Sequence, residues 1–181
     1  MRVSKEKSAE NRERILEAAA RLFRERGLSG VGVDALTEAA GLTHGSLYSQ
    51  FGSKERLAAE ALVHALTTSS ARMRDARTLD DYMARYLSSD HREGLGDGCV
   101  IAALAGDMPR QGATIRHRFT DAIRGMMKKI AGLAPGGARP EDEALAIVAT
   151  MVGALILARA VDDQELSRRI LGAARARLSS P

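Results

Sequence analysis

Hydrogen-bonding side chains crowd into one short stretch of the chain: His44, Ser46, Tyr48, Ser49 and Gln50, with Gly45 among them. Leu47 and Phe51 are interleaved four residues apart, so on a helix they share one face and leave the polar set on the other. Groups that donate and accept without a run of formal charge suit the edges of bases. Gln can pair bidentately with adenine, giving about 1–3 kcal/mol of discrimination. A seven-residue helix is about 10 Å long, close to the roughly 12 Å width of a DNA major groove. Gly45, lacking a side chain, would let the backbone come close to the duplex.

Other chemistries find little footing. His44, His64, His91 and His117 are scattered, with no His-x₃-His or carboxylate spacing, so a catalytic zinc is not expected. The serines lack a nucleophile-elbow context, and no Gly-rich loop follows a strand, because no convincing strand exists. No enzyme, cofactor or metal is expected. One cysteine excludes an internal disulfide and fits a reducing cytoplasm. That residue, Cys99, follows a Gly-rich loop at an expected helix start, where the positive helix end favours a thiolate. A sensing thiol and a small buried residue are both open readings of it.

The reading residues need a scaffold, and residues 33–57 supply one. Leu36, Ala39 and Ala40, then Leu42, then Leu47 and Phe51 place two short helices on a common core. Gly41 sits where the first must end in a left-handed cap, and Thr43 is a good N-cap for the second. Two helices around a tight Gly-containing turn form a helix-turn-helix, whose second helix fits a major groove. Gly52-Ser53 breaks the chain again, and Ser53 caps a long third helix with Lys54 in its first turn, where an anion is favoured.

The run A-G-L-T-H-G-S-L-Y-S-Q-F-G-S-K-E-R-L over 40–57 resembles the signature of TetR/AcrR-family transcriptional regulators. The resemblance is specific over the first third of the chain; beyond it only helical pattern and length agree. It implies an all-α protein with an N-terminal three-helix helix-turn-helix head over 1–52. A larger C-terminal ligand-binding and dimerisation domain would cover 53–181, with the helix from Ser53 linking the two. It also implies that Tyr48 gives its hydroxyl to a phosphate and that Lys54 contacts phosphate. Thr43 would add a phosphate contact to its cap. The expected DNA-binding set is therefore Thr43, His44, Gly45, Ser46, Tyr48, Ser49, Gln50 and Lys54. The chain departs from the family where a Thr commonly precedes the first helix of the motif: it has Val31-Gly32-Val33, leaving Gly32 as a weaker cap.

Composition agrees with a helical fold. The 181 residues are 45% hydrophobic but only 3% aromatic, with no Trp, so the core is built from Leu, Ala, Ile, Val and Met. A formal charge of +4 is compatible with nucleic acid without being diagnostic. Arg2, Lys5 and Lys7 make a basic arm over 1–8, either solvated or touching backbone phosphate or the minor groove. Helical spacing predicts helices over 9–26, 53–75, 79–88, 99–105, 113–131, 141–159 and 163–178, with 89–97 and 132–140 as loop and linker. The apolar stretch 144–158 spans about 22 Å as a helix, too short for a membrane core, so no membrane partner is expected.

By resemblance, the later helices enclose a mostly apolar pocket, for which Tyr82, Tyr86, Cys99, Phe119 and Met126 are candidates. Met83, Met108, Met127 and Met151 would fit an adaptable lining or a plain core. The helix over 141–159 is apolar on nearly all sides and must be covered on more than one face. Ala149, Val152, Gly153, Ile156 and Ala160, with Leu166 and Ile170 from the last helix, are the expected homodimer interface. The resulting expectation is a cytoplasmic, homodimeric repressor that reads a pseudo-palindromic double-stranded DNA operator and is released by a small-molecule effector. Two alternatives stand beside it: a repressor triggered by modification of the Cys99 thiol, and a helical interaction protein that does not bind DNA.

Overall fold

In the computed structural model, residues 5–69, 73, 75–134 and 139–179 are described, and they fold into ten α-helices and one short 3₁₀ turn. Three helices make the amino-terminal head: α1 (Lys5–Arg26), α2 (Val33–Ala40) and α3 (His44–Phe51). Their core is Ile15, Leu16, Ala19 and Phe23 from α1, Leu36 and Ala40 from α2, and Leu47 and Phe51 from α3, all buried. The Arg12 guanidinium lies 4.7 Å above the Phe51 ring and pairs with Glu60, tying α1 and α3 to α4 (Lys54–Ser69). Helix α1 begins four residues before the expected start, so Lys5 and Lys7 are helical and Lys7 pairs with Glu10. Arg2 lies outside the described residues.

The turn of the motif is set by local chemistry. Gly41 adopts φ 61° and ψ 40°, a left-handed conformation that costs a side-chain-bearing residue energy. From there Gly41 N–H donates to Glu38 O and Leu42 N–H to Thr37 O, both at 2.9 Å. This is the six-to-one and five-to-two pattern that satisfies the last carbonyls of α2. Gly32 caps the start of α2 with no side-chain bond. Thr43 caps α3, its Oγ1 accepting from Ser46 N–H at 3.3 Å, and Ser53 caps α4, its Oγ accepting from Arg56 N–H at 3.1 Å.

The body follows: α5 (Leu79–Tyr86), α6 (Ser89–Glu93), α7 (Val100–Leu104), the 3₁₀ turn Met108–Arg110, α8 (Ala113–Ala131), α9 (Pro140–Ala160) and α10 (Gln164–Ser179). Helix α6 corrects the expectation of a loop across 89–97. Ser88 caps it through His91 N–H at 3.1 Å, and His91 is buried as one of its anchors. The linker expected over 132–140 coincides in part with 135–138, outside the described residues. Helix α4 packs against α1 and also against α7 and α8, so one helix joins the head to the body.

Helix α9 corrects the length read from sequence. It has 21 residues and is long and apolar enough by composition to cross a membrane, with a mean hydropathy of 1.8. Its Ala144, Val148, Met151, Ala154, Leu155 and Ala158 are nevertheless buried against the protein, making it a partly buried core helix. Helices α8 and α10 flank it, while Leu145, Ile156 and Leu157 stay exposed on its far side.

Candidate nucleic-acid interface and ligand cavity

Helix α3 turns Leu47 and Phe51 into the head core and leaves Thr43, His44, Gly45, Tyr48 and Ser49 exposed. Its first turn is stiffened by a hydroxyl chain. Thr43 Oγ1 and Ser46 Oγ lie 3.1 Å apart, and Ser49 Oγ donates to Ser46 O at 2.9 Å. A β-carbon added at Gly45 would meet only Thr43 Oγ1, at 3.8 Å, so nothing within the protein requires glycine there. Tyr48 stands 49% exposed, its ring not packed away, and Lys54 follows in the first turn of α4.

Two expected base readers are engaged elsewhere. Gln50 Nε2 donates to Ser8 Oγ at 2.8 Å and to Ser8 O at 3.2 Å. Position 50, three residues after Leu47, sits on the flank of α3 that abuts the start of α1, which corrects the placement of Gln50 on the open face. His44 Nε2 lies 2.5 Å from Asp34 Oδ1 of α2, so its ring is turned toward the motif's other helix. The open face is thus Gly45, Tyr48 and Ser49, with Thr43 at the helix start and Lys54 beyond.

The body holds a cavity of about 630 Å³, within the size range of small-molecule sites. Val63 and Leu66 of α4, Tyr82 and Tyr86 of α5, and Val100 and Ile101 of α7 line it, with Ala122, Gly125 and Met126 of α8 and Met73 from between α4 and α5. Arg118, Asp121 and Lys129 of α8 add charged groups, as does Asp97. Of the expected lining residues, Tyr82, Tyr86, Cys99 and Met126 are brought together here. Phe119 is not: it is buried in the core, two helical turns before Met126 on the same side of α8. Met83, Met108 and Met151 are likewise core residues.

The inner wall is an ordered hydrogen-bonded unit. Cys99 N–H donates to His91 Nε2 at 2.9 Å, which makes that nitrogen an acceptor and leaves the proton on Nδ1. His91 Nδ1 then donates to Tyr86 O at 2.7 Å. The His91 ring meets the Tyr86 ring edge-on at 4.7 Å, and Tyr82 stacks against Tyr86 at 6.3 Å. Burial pushes both phenols above their ordinary range, and the Cys99 thiol adds to the effect. Among the described residues, Tyr86 Oη has no hydrogen-bond partner. Cys99 is half-buried at the start of α7 and its thiol caps nothing.

Two residues that sequence reasoning missed join this wall to its surroundings. Arg24 of α1 is buried, donating from Nε to Gly96 O at 2.5 Å and from Nη1 to Ala65 O of α4 at 3.5 Å. Burial lowers its pKa against the pull of Asp97. The only sequence signal was a charge within the buried i, i+4 row Leu16–Ala20–Arg24. Arg159 of α9 donates from Nη2 to His91 O at 2.7 Å and from Nε to Arg92 O at 3.1 Å. The segment 94–99 therefore touches the head through Arg24, and α6 touches α9 through Arg159. Among the described residues, no group of three His, Cys, Asp or Glu is placed to hold a metal.

Comparison with known proteins agrees with this architecture. The profile of bacterial regulatory proteins of the tetR family matches residues 15–61, which run from the second half of α1 through the first half of α4. Over 170 residues the chain is 30% identical to the uncharacterized HTH-type transcriptional regulator Rv0196 of Mycobacterium tuberculosis, covering 82% of this chain and 84% of that one. This chain belongs to the TetR family. It is a helix-turn-helix transcriptional regulator, of a family that is not enzymatic. Over 61 residues it is 44% identical to the HTH-type transcriptional repressor KstR2 of M. tuberculosis, covering 34% of this chain and 30% of that protein. A TetR regulator of known structure from Chloroflexus aurantiacus superposes with a TM-score of 0.77 at 27% identity, over 96% of this chain and 94% of that one. The long TetR-type match thus reaches beyond the motif into the helices that form the cavity.

Proposed function

We propose that this regulator is a cytoplasmic, homodimeric repressor whose grip on a pseudo-palindromic operator is released by a small molecule in the body cavity. The observation that carries the reading is shared structure between cavity and head. Helix α4 presents Lys54 at the head end and Val63 and Leu66 to the cavity, while Arg24 of α1 holds the segment that contributes Asp97 and Cys99 to the wall. A ligand that favours a different placement of α4 or of 94–99 has a route to the reading helices, and its effect equals its differential affinity for the two placements. A coupling of about 1–3 kcal/mol, or roughly 5–150-fold in DNA affinity, is typical.

On DNA, Thr43, Tyr48 and Lys54 would contact phosphate, with Gly45 and Ser49 nearest the bases; His44, Ser46 and Gln50 would join after giving up their internal partners. Across the dimer, Ala149, Val152, Gly153, Ile156 and Ala160 of α9 would pack with Leu166 and Ile170 of α10. None of these seven is buried in the single chain. Small residues there permit close approach of two helix pairs as a four-helix bundle.

The test is fluorescence anisotropy of the full chain against DNA upstream of its own gene, with a scrambled duplex as control, at two salt concentrations. Selective binding that weakens with salt supports the reading. Absence of binding to either duplex at low salt overturns it.

A further inference from the structure

We propose that the cavity takes an amphipathic carboxylate, its hydrocarbon body on the apolar floor and its anionic head at the mouth between Arg118 and Lys129. This inference rests on reading the cavity as the effector site and names the chemistry of its ligand. Arg118, Asp121, Gly125 and Lys129 share one side of α8, stay exposed and line the cavity, so this row marks where it opens. Arg118 and Lys129 stand about 16 Å apart along α8 by helical rise. A β-carbon added at Gly125, between them, meets nothing within 4 Å, which leaves room for a head group. Beneath the row the buried lining includes Val100, Ile101, Ala122 and Met126 and holds no Lys or Arg. His91 does not replace them: its Nε2 accepts from Cys99 N–H, so the ring is neutral, and Nδ1 is spent on Tyr86 O.

The sign of the head follows from which lining charges are already answered. Asp121 Oδ2 lies 3.6 Å from His117 Nε2, and its Oδ1 lies 3.7 Å from Arg124 Nη1. Asp97 is within electrostatic reach of Arg21 and Arg24 of α1. The side chains of Arg118 and Lys129, by contrast, make no ion pair or hydrogen bond among the described residues. Helix α8 also carries Arg116, Arg124 and Lys128, against Asp121 as its single acid, so the field over the mouth is positive. A carboxylate at the opening gains from that field, and an amine is repelled by it.

Decanoate, decanol and decylamine share one body and differ in the charge of the head. Each is measured below its micellar concentration, near neutral pH, by equilibrium dialysis against the wild-type chain and an Arg118→Gln, Lys129→Gln double variant. Both side chains are exposed, so the variant is expected to fold, and circular dichroism checks this. The expected result is a loss of about 3–10-fold in decanoate affinity for the variant, with decanol unchanged and decylamine bound more tightly. Added salt should weaken decanoate binding to the wild-type chain more than to the variant. Equal change for all three probes, unchanged decanoate affinity, or no binding of decanoate to the wild-type chain overturns the inference. Dialysis needs no DNA, so the two readings fail separately. Decanoate binding that depends on the two cations but leaves operator affinity unchanged keeps this inference and refutes coupled release.

Discussion

Replacing Gly45 by Ala separates what the fold needs from what DNA reading needs. Gly45 is the second residue of α3, and its φ is not positive. An added β-carbon meets only Thr43 Oγ1, at an ordinary 3.8 Å. Within the protein the substitution therefore carries no steric cost and removes glycine's excess freedom in the unfolded chain. Glycine is about 1 kcal/mol worse than alanine inside a helix, and less so near an end, so Gly45→Ala should stabilise the chain by about 0.5–1 kcal/mol. For a chain of this size that raises Tm by about 1–4 °C. On DNA the sign reverses. A methyl group on the face that lies against the groove holds α3 away, stretching neighbouring base contacts worth about 1–3 kcal/mol each. Operator affinity should fall roughly 10–100-fold, at 1.4 kcal/mol per decade. The dependence on salt should be unchanged, because the phosphate contacts are the same in number. Thermal melting and the anisotropy titration check both halves on one preparation. A variant that is more stable yet binds its operator as tightly as the wild type would refute the placement of Gly45 against DNA. One that is less stable would refute the local geometry.

Four further outcomes are expected. Arg24→Met removes a buried cation that joins α1 to Gly96 O and Ala65 O. Charge-assisted bonds lost against desolvation relieved should leave a net cost of about 1–3 kcal/mol in urea unfolding, together with a weaker effect of ligand on DNA affinity. Stability should also fall as pH rises above about 10, because the unfolded phenols ionise there while burial holds Tyr86 and Tyr82 protonated in the folded state. That contribution is complete below the unfolded value and is lost above it; a Tyr82→Phe, Tyr86→Phe double variant should show a shallower alkaline decline in urea midpoint. Ile156→Glu puts a charge into the exposed apolar side of α9 and should weaken dimerisation at least 100-fold by analytical ultracentrifugation. Cys99→Ser should keep the response of DNA binding to a reversible ligand, whereas loss of an oxidant or electrophile response alone would assign the trigger to the thiol.

Much of the head is written locally. The stop of α2 and the starts of α3 and α4 depend on interactions within six residues: the left-handed Gly41 and the Thr43 and Ser53 caps, with the i, i+4 pair Leu47–Phe51 fixing the buried face of α3. Each expresses the geometry of the backbone and the reach of a short side chain, so spacing in the sequence is enough to reveal it. The all-helical class is legible for the same reason, since a 3.6-residue period needs no partner to be seen. Contacts across long separations are different. Helical period says that position 50 lies beside the buried row, but only the packing of α1 on α3 joins Gln50 to Ser8, 42 residues away. Arg24 meets Gly96 across 72 residues, and Arg159 reaches His91 across 68. Phe119 and Met126 lie on the same face of α8, yet only Met126 borders the cavity, because which turn of a helix faces a void depends on what the opposite helices leave unfilled. Helix α6, hidden in a polar and Gly-rich stretch, exists around a buried His91 whose partners come from α5, α7 and α9. Sequence by itself determined the reading motif and the elements other than α6, because their causes are local. Tertiary structure decided which polar groups are paired, as in the bonds of Arg24 to Gly96 and Ala65, because satisfaction of a buried polar atom depends on chain segments far apart.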